Sequence, residues 1–138
     1  MRMKNSEDKP VAAPGRKDPR RILGDRGENV AERHIRKAGM AILAKGFRHR
    51  GGEIDLIAQD GIEVVFVEVK TRSSDGFGNV EDSVTWHKRR KLIRTAAYYL
   101  QTRRALQQPC RFDVISIRVD DEGNPALEHL RDAFRADD

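Results

Sequence analysis

The segment GGEIDLIAQDGIEVVFVEVKTR, residues 51–72, restricts the fold more than any other part of this 138-residue chain. Apolar and polar side chains alternate on both sides of Asp60-Gly61, and such alternation is typical of half-buried strands. An Asp-Gly pair between two strands favours a two-residue hairpin turn. We therefore predict an antiparallel hairpin with Asp60 and Gly61 in its turn, which places Asp55 opposite Phe66.

The alternation predicts two different faces for this hairpin. The first face is apolar and should pack on helices; it comprises Ile54, Leu56, Ala58, Val65, Val67 and Val69. The second face carries Glu53, Asp55, Glu68 and Lys70 toward the open end of the hairpin. In the predicted register Asp55 and Glu68 are diagonal neighbours about 7 Å apart, so their carboxylates can converge on one point.

Helical periodicity is present on both sides of the hairpin. Apolar or small residues at helical spacing predict a first helix over 23–38 and a second over 87–106. Short apolar runs predict strands at 40–50 and 111–119, and residues 125–134 suggest a short strand that runs into a turn of helix. The predicted class is α/β, with a mixed sheet of antiparallel hairpin strands plus a further strand, flanked by helices.

The length of the chain suits one domain. Residues 1–20 combine Pro, Gly and charge with few apolar side chains, so we predict a disordered basic N-terminal tail there. A single domain then spans residues 21–134, and residues 135–138 form a C-terminal tail.

Charge and cysteine content narrow the partners and the compartment. The formal net charge is +5, although residues 120–138 hold seven acidic side chains against two basic ones. The body of the chain is therefore basic, which favours polyanions or anionic membrane surfaces. Cys110 has no second cysteine to pair with, and no apolar run has the length of a signal peptide or a membrane span. We expect a cytoplasmic protein that is not embedded in a membrane.

Two carboxylates and a lysine on one strand face suggest a metal site. Hard cations such as Mg²⁺ take oxygen ligands, commonly one or two carboxylates with water and phosphate. Lys70 projects from the same face as Glu68, and an ammonium there can stabilise an attacking water or the charge that develops on a phosphate. The alternative is an exposed salt bridge between Glu68 and Lys70 on a solvated sheet face, worth about 0 to 1 kcal/mol.

Six ordered blocks of the sequence resemble the bacterial YraN-like proteins, uncharacterised protein family 0102. The blocks are GDRGENVAERHI (24–35), GGEIDLIA (51–58), VFVEVKTR (65–72), FG (77–78), HKRRKLIRTAAYYL (87–100) and RFDVISI (111–117). The resemblance covers about residues 22–134. That family looks like a member of the PD-(D/E)xK nuclease superfamily, with a restriction-endonuclease-like core similar to archaeal Holliday junction resolvases.

The resemblance implies roles for particular residues. It makes Asp55, Glu68 and Lys70 the catalytic signature and adds Glu28 from the first helix. The implied ligands of Mg²⁺ or Mn²⁺ are Asp55, Glu68, Glu28 and the carbonyl of Val69. The chain departs from the pattern in two places: Ile54 stands where the nominal motif has proline, and Gly46 stands where a polar residue, often asparagine, is expected.

Basic residues near these acids are candidates for nucleic-acid contacts. Four cations open the second helix, where the helix dipole disfavours cations, so a bound phosphate would offset that cost; they are Lys88, Arg89, Arg90 and Lys91. The family resemblance also implies that Lys88 faces the site. Arg48, Arg50 and Arg72 flank the acidic strands in sequence. A solvated surface explains each of these residues about as well.

The sequence thus leads to two hypotheses of different classes. The first is a Mg²⁺- or Mn²⁺-dependent endonuclease that hydrolyses DNA phosphodiester bonds, with branched or junction DNA as the substrate implied by the resolvase resemblance. Junction cleavage would favour a homodimer, because two strands must be cut by two related sites. The second is a non-catalytic nucleic-acid-binding or adaptor module that keeps a nuclease-like fold. RNA is a weaker alternative partner. We expect Trp86, Tyr98 and Tyr99 to pack against the protein rather than stack on bases.

Overall fold

The protein is a mixed five-stranded sheet with one helix packed on each face. The computed structural model describes residues 19–73 and 84–136. The elements in this part of the chain are α1 (Pro19–Lys37), β1 (Ala41–His49), β2 (Gly52–Asp60), β3 (Glu63–Ser73), α2 (Trp86–Thr102), β4 (Cys110–Val119) and β5 (Pro125–Phe134). The predicted α/β class with a mixed, helix-flanked sheet is confirmed, and so is the predicted order of the elements.

The strands lie side by side in chain order, β1-β2-β3-β4-β5. Every neighbouring pair is antiparallel except β3 and β4, which run parallel. A parallel pair needs a long crossover between its strands, and here that crossover contains α2. The sheet therefore has one face covered by α1, which precedes it, and the other covered by α2.

Each helix closes its own hydrophobic core. On the α1 face, Ala31 and Ile35 pack with apolar strand residues, among them Leu56, Val65 and Val67. On the α2 face the helix contributes Leu92, Ala96, Tyr99 and Leu100, which pack with a second set of strand residues that includes Ile57 and Phe66. Both faces of the central strands are thus buried, as expected for strands with helices on either side.

The hairpin turn lies one residue later than predicted. Asp60 pairs with Glu63, so Gly61 and Ile62 occupy the turn. Gly61 has a φ of +60°, which suits the first position of a type II′ turn. Arg111 from β4 also contacts both Asp60 and Glu63 at 2.9 Å, which stabilises this pairing. The whole register therefore shifts by two residues, and because side chains alternate, the shift leaves each face unchanged.

One residue of the predicted apolar face is on the wrong side. Ile54 is buried in the α2 core, whereas Leu56 is buried in the α1 core. The alternation breaks beside Gly46 on the neighbouring strand, which lies between the pairs Lys45–Leu56 and Phe47–Ile54 and has a φ of +62°. Glycine and asparagine are the residues that adopt this left-handed conformation most readily, so Gly46 fills the position where asparagine was expected.

The last element is a strand throughout rather than a strand that runs into helix. β5 continues to Phe134, and its pairing with β4 shifts between Phe112 and Val114. Asp132 has a φ of +53° at this irregularity, and its backbone N–H donates to Asp113 Oδ1 at 2.9 Å. The sequence signal for a turn near the end of the chain corresponds to this bulge.

Some predicted features fall partly or wholly outside the described residues. Those features are residues 1–18 of the predicted tail, the FG block at 77–78, and the last two residues of the chain. Helix α1 begins at Pro19, two residues inside the segment predicted to be a tail. Neither helix of the described chain is long and apolar enough to cross a membrane.

A chain of polar contacts links β4 to α1 through the interior. The carboxylate of Asp113 is fully buried and accepts hydrogen bonds from Arg111 Nε at 3.0 Å and from the backbone of Asp132. His129 Nε2 lies 2.8 Å from Asp113 Oδ2, and the other ring nitrogen of His129 lies 2.9 Å from His34 Nε2 on α1. These contacts hold the pKa of Asp113 below its usual range although burial alone would raise it.

Helix α1 approaches β3 most closely at Gly27. A Cβ atom at this position would overlap the hydroxyl of Thr71. We expect Gly27→Ala to destabilise the fold by about 1 to 3 kcal/mol, because the helix must move away from the sheet. Chemical denaturation measures this loss, and Thr71→Ala in the same chain should recover part of it. An unchanged unfolding midpoint for Gly27→Ala alone would contradict the close approach.

Candidate active site

Asp55 and Glu68 meet where β2 and β3 separate. The backbone pairing of these strands runs from the turn to Leu56 and Val67. One step further the register brings Asp55 opposite Glu68, closer than the diagonal relation predicted from the sequence. The carboxylate of Asp55 accepts a 2.8 Å hydrogen bond from the backbone N–H of Val69. Its side chain therefore bonds to β3 beyond the end of the regular pairing.

Both carboxylates line a cavity of about 470 Å³ between the sheet and the start of α2. The lining residues are Gly51, Glu53, Asp55, Glu68, Thr85, His87, Lys88, Lys91 and Leu92. Thr85 also caps α2, because its hydroxyl accepts the N–H of Lys88 at 3.2 Å. The cap sets the first turn of the helix at the cavity, and this turn supplies Lys88.

Two lysines neutralise Glu68, which is only 6% exposed. Lys88 Nζ forms an ion pair with Glu68 Oε2, and Lys70 Nζ lies 3.5 Å from the same oxygen. Burial and the neighbouring charge of Lys88 lower the pKa of Lys70. Burial also lowers the pKa of Lys88, but its hydrogen bond and ion pair with Glu68 outweigh burial, so that the pKa of Lys88 is raised. Lys88 thus forms a close ion pair with Glu68 inside the cavity. The Glu68–Lys70 salt bridge of the alternative interpretation is also present, but Glu68 is buried in it rather than solvated.

Asp55 is costly to ionise in this environment. Burial, followed by the charge of Glu68, raises the pKa of Asp55 from 3.8 to about 7. The hydrogen bond from Val69 opposes this rise, while the charges of Glu28 and Glu53 add to it. Two neighbouring carboxylates, one of them reluctant to ionise, are a common feature of catalytic and metal sites.

This raised pKa predicts how pH affects the stability of the metal-free protein. The folded state binds the Asp55 proton more tightly than the unfolded chain, so its stability should fall as the pH rises from about 4 to about 7. Asp55→Asn removes this loss and should be about 4 kcal/mol more stable than the wild type at pH 8, with little difference near pH 4. Thermal unfolding with a chelator measures both profiles. Parallel profiles for the two proteins would contradict the assignment.

Glu28 approaches the site from the other face of the sheet. It follows Gly27 in α1, and its charge reaches Asp55 strongly enough to contribute to the raised pKa. Within residues 19–73 and 84–136, however, no three Asp, Glu, His or Cys side chains are close enough to hold a metal ion. Asp55 and Glu68 are brought together, whereas the roles of Glu28 and of the Val69 carbonyl as ligands stay predictions.

The residues predicted to contact nucleic acid lie in different parts of the structure. Lys88 lines the cavity, while Arg89 points elsewhere: its Nε donates to the carbonyl of Val84 at 3.0 Å and its guanidinium lies over the ring of Phe134. Arg48 lies 3.5 Å from Glu53 at the mouth of the cavity. Arg50 lines a neighbouring cleft.

Arg72 follows Lys70 by two residues on β3 and is half-buried. Of the predicted cationic residues, Lys70 and Lys88 lie next to Glu68, whereas Arg89 points away from the two acids.

Sequence reasoning missed several residues of the cavity. Thr85 and His87 had no motif to mark them, although a Thr before a helical run is a common N-cap signal. Lys91 belongs to the basic run that the sequence marked as a candidate for phosphate contact. The expectation that the aromatic residues pack is confirmed for Tyr99, which is buried in the α2 core. It is wrong for Trp86, which is 62% exposed beside the cavity. Tyr98 is partly exposed and stacks on His49.

The structure therefore defines a mixed α/β domain in which Asp55, Glu68 and Lys88 line a cavity between the sheet and α2, with Lys70 next to Glu68. A sequence profile of uncharacterised protein family UPF0102 matches residues 27–117, and the chain belongs to this family. The resemblance to the YraN-like family is thus confirmed.

Relatives from several bacteria match most of the chain. The UPF0102 protein of Geotalea uraniireducens is 41% identical over 112 residues, which cover 81% of this chain and 88% of the relative. The protein of Rhodococcus opacus is 42% identical, with 81% and 95% covered. The protein of Xanthomonas oryzae pv. oryzae is 46% identical over 113 residues, with 80% and 89% covered.

Among solved structures, the chain is similar to SfsA of Pyrococcus furiosus in complex with Ca²⁺. The TM-score is 0.42 and the sequence identity 12%, with 81% of this chain and 63% of that chain covered. The chain thus spans less than two thirds of that protein. A likeness of this size establishes neither activity nor ligand for this chain.

Proposed function

We propose that the protein is a metal-dependent nuclease that hydrolyses phosphodiester bonds in DNA. The observation that carries the proposal is the pairing of Asp55 with Glu68 in an open cavity beside Lys70 and Lys88. The family resemblance to PD-(D/E)xK nucleases assigns the same three positions, Asp55, Glu68 and Lys70, to the reaction. The restriction-endonuclease-like description of the core belongs to this proposal as well.

The donor set fits a hard divalent cation such as Mg²⁺ or Mn²⁺. Asp55 and Glu68 offer carboxylate oxygens, and burial together with the charge of Glu68 raises the pKa of Asp55 to about 7, a cost of ionisation that a bound cation would offset. Two protein carboxylates, with water and substrate phosphate as the remaining ligands, are a usual set for Mg²⁺. When bound, the cation would supply an activated water and offset charge on the phosphate. Glu28 and the Val69 carbonyl are proposed as further ligands.

The lysines would act on the substrate. Lys70 is held near Glu68, and its lowered pKa reflects an ammonium that is partly removed from water and crowded by Lys88. Such a group can donate a hydrogen bond to the attacking water or to a phosphate oxygen. Lys88 is proposed to contact the phosphate next to the scissile bond. Water adds to phosphorus, the bond to one sugar oxygen breaks, and that oxygen takes up a proton.

The test uses purified protein with labelled four-way junctions, flaps, linear duplex and plasmid. We expect cleavage of at least one DNA with Mg²⁺ or Mn²⁺ and none with a chelator. Preference for the junction would support the finer proposal of branched DNA as substrate. Junction cleavage also leads us to propose a homodimer, which sedimentation with and without junction DNA can test. Cleavage that persists in chelator would exclude the metal-dependent mechanism.

A second function is favoured by the close ion pair of Lys88 with Glu68. Lysines that already neutralise the acids can bind phosphate without a metal, as expected of a non-catalytic nucleic-acid-binding or adaptor module. This function predicts salt-sensitive DNA binding that survives both chelator and Glu68→Gln, with no cleavage of any substrate. Comparing DNA and RNA of the same shape at fixed salt tests RNA as the alternative ligand.

A further inference from the structure

A second cleft lies next to the active-site cavity, between the β1–β2 turn and α2. Its volume is about 380 Å³. The side chains that matter to its chemistry are His49, Arg50, Lys91, Arg94, Tyr98 and Gln101. Three of these six carry a permanent positive charge at neutral pH, and none of them is acidic. The cleft is therefore a concave basic surface beside the proposed catalytic groups.

The three cations of this cleft have no acidic partner in the described part of the chain. Arg50, Lys91 and Arg94 are exposed, and no ion pair joins any of them to a residue within 19–73 or 84–136. Some other arginines have an acidic partner, for example Arg36 with Glu32 and Arg135 with Asp132. Like charges that gather around a concavity without partners repel one another, and an anionic ligand would offset this repulsion.

The cleft continues the active-site cavity. Lys91 lines both, one turn along α2 from Lys88, and Arg94 follows after a further three residues. From Lys88 to Gln101 the helix rises roughly 20 Å, about the length of six base-pair steps of duplex DNA. Residues spaced three or four apart share a helix face, so α2 presents a row of cations that starts at the acids and leads away from them.

The turn that carries Arg50 is held against α2. Arg50 has a φ of +49°, which is uncommon for a residue other than glycine. Gly52 is buried so closely against α2 that a Cβ there would overlap the hydroxyl of Thr95. The ring of His49 stacks on that of Tyr98, with centroids 3.4 Å apart. These contacts give the cleft a defined shape, and strained residues held in this way are frequent at binding sites.

We infer that this cleft binds the sugar-phosphate backbone of the nucleic acid, so that the bound strand lies along α2 and reaches the active-site cavity. The inference rests on the proposed function for the class of ligand. Arg50, Lys91 and Arg94 contact phosphates, and Gln101 extends the row with a hydrogen-bonding group. These contacts position the strand and carry no sequence specificity.

The test compares two double variants that remove the same charge. Lys91→Gln/Arg94→Gln alters the cleft, and Arg33→Gln/Lys37→Gln alters exposed positions on α1, across the sheet. Binding of a labelled duplex is followed by fluorescence anisotropy in chelator at several salt concentrations, so no cleavage is needed. We expect the cleft variant to bind about tenfold more weakly, with a salt slope smaller by about 1.8, and the α1 variant to bind within about twofold of wild type.

The outcomes separate the cleft from the nuclease proposal. Equal binding by the cleft variant and wild type overturns the inference, whether or not the wild type cleaves DNA. Equal losses in both double variants also overturn it, because net charge alone would then explain them. A selective loss in the cleft variant supports the cleft even when no substrate is cleaved, and then only the nuclease proposal fails. Tighter binding of poly-glutamate than of DNA of equal charge overturns nucleic acid as the ligand.

Discussion

Glu68→Gln is expected to lower the rate of metal-dependent DNA cleavage by about a thousandfold. Glu68 is the more buried of the two acids and is contacted by Lys70 and Lys88. Glutamine keeps the shape of the side chain and can still accept a hydrogen bond, but it removes the charge that would hold the cation and align Lys70. The loss of one preorganised electrostatic group typically costs a factor of about 10² to 10³. Single-turnover cleavage of the preferred substrate measures the rate.

The control for this variant is Glu128→Gln, which removes the same charge from an exposed position of β5. We expect it to cleave DNA at the wild-type rate. Circular dichroism should show that Glu68→Gln is folded. Cleavage by folded Glu68→Gln within about threefold of wild type would reject the site, because the variant then retains activity without the charge that the mechanism requires.

Asp113→Ala is expected to lower the free energy of unfolding by about 3 to 5 kcal/mol. The carboxylate of Asp113 is fully buried, and its removal takes away the acceptor of Arg111 Nε and of a ring nitrogen of His129, while Arg111 Nη1 keeps its contacts with Asp60 and Glu63. Breaking a buried pair by removing one partner typically costs this much. Many domains have a total stability of about 5 to 15 kcal/mol, so the variant should unfold at much lower urea concentrations.

A double-mutant cycle gives the control for Asp113→Ala. Because Arg111→Met removes the charge that Asp113→Ala leaves behind, the double variant should lose much less stability than the two single losses added together. Additive losses would contradict the coupling of Arg111 and Asp113 across the interior.

The same contacts predict acid sensitivity. The pKa of Asp113 is held below its usual range, so its stabilising contribution is present above about pH 4 and is lost as the pH falls below that value. Burial and the charges of His129 and Arg131 lower the pKa of His34, so protonation of His34 should destabilise the fold earlier, below about pH 6.5. Urea unfolding between pH 3 and pH 8 should therefore show an extra loss below pH 4 that Asp113→Asn lacks.

Alternation of side chains along residues 51–72 was enough to predict the two central strands and the acids on one face. Apart from Ile54, the predicted faces are right although the turn lies one residue later than predicted, because the register moved by two residues and a shift of two keeps each side chain on its face. The correct turn depends on Arg111, which binds Asp60 and Glu63 from a strand about 50 positions further along the chain. No local pattern contains that information.

Other parts of the site depend on contacts between distant segments. Ile54 is buried on the side opposite to the predicted one, beside the left-handed backbone of Gly46 on the next strand. Lys88 was suggested by charge and by family resemblance, but its ion pair with Glu68 requires the crossover that brings α2 over the sheet. The basic cleft requires the β1–β2 turn to pack on α2. Sequence spacing predicts elements, while pairing of distant charges follows from topology.

The central claim is that Asp55 and Glu68 bind a divalent cation beside a nucleic-acid backbone. Calorimetric titration of Mn²⁺ into metal-free wild type, Asp55→Asn and the control Glu128→Gln tests it most directly. We predict one site in the wild type and in Glu128→Gln, and loss of that site in Asp55→Asn. The absence of Mn²⁺ binding by the wild type, or equal binding by wild type and Asp55→Asn, would contradict the claim.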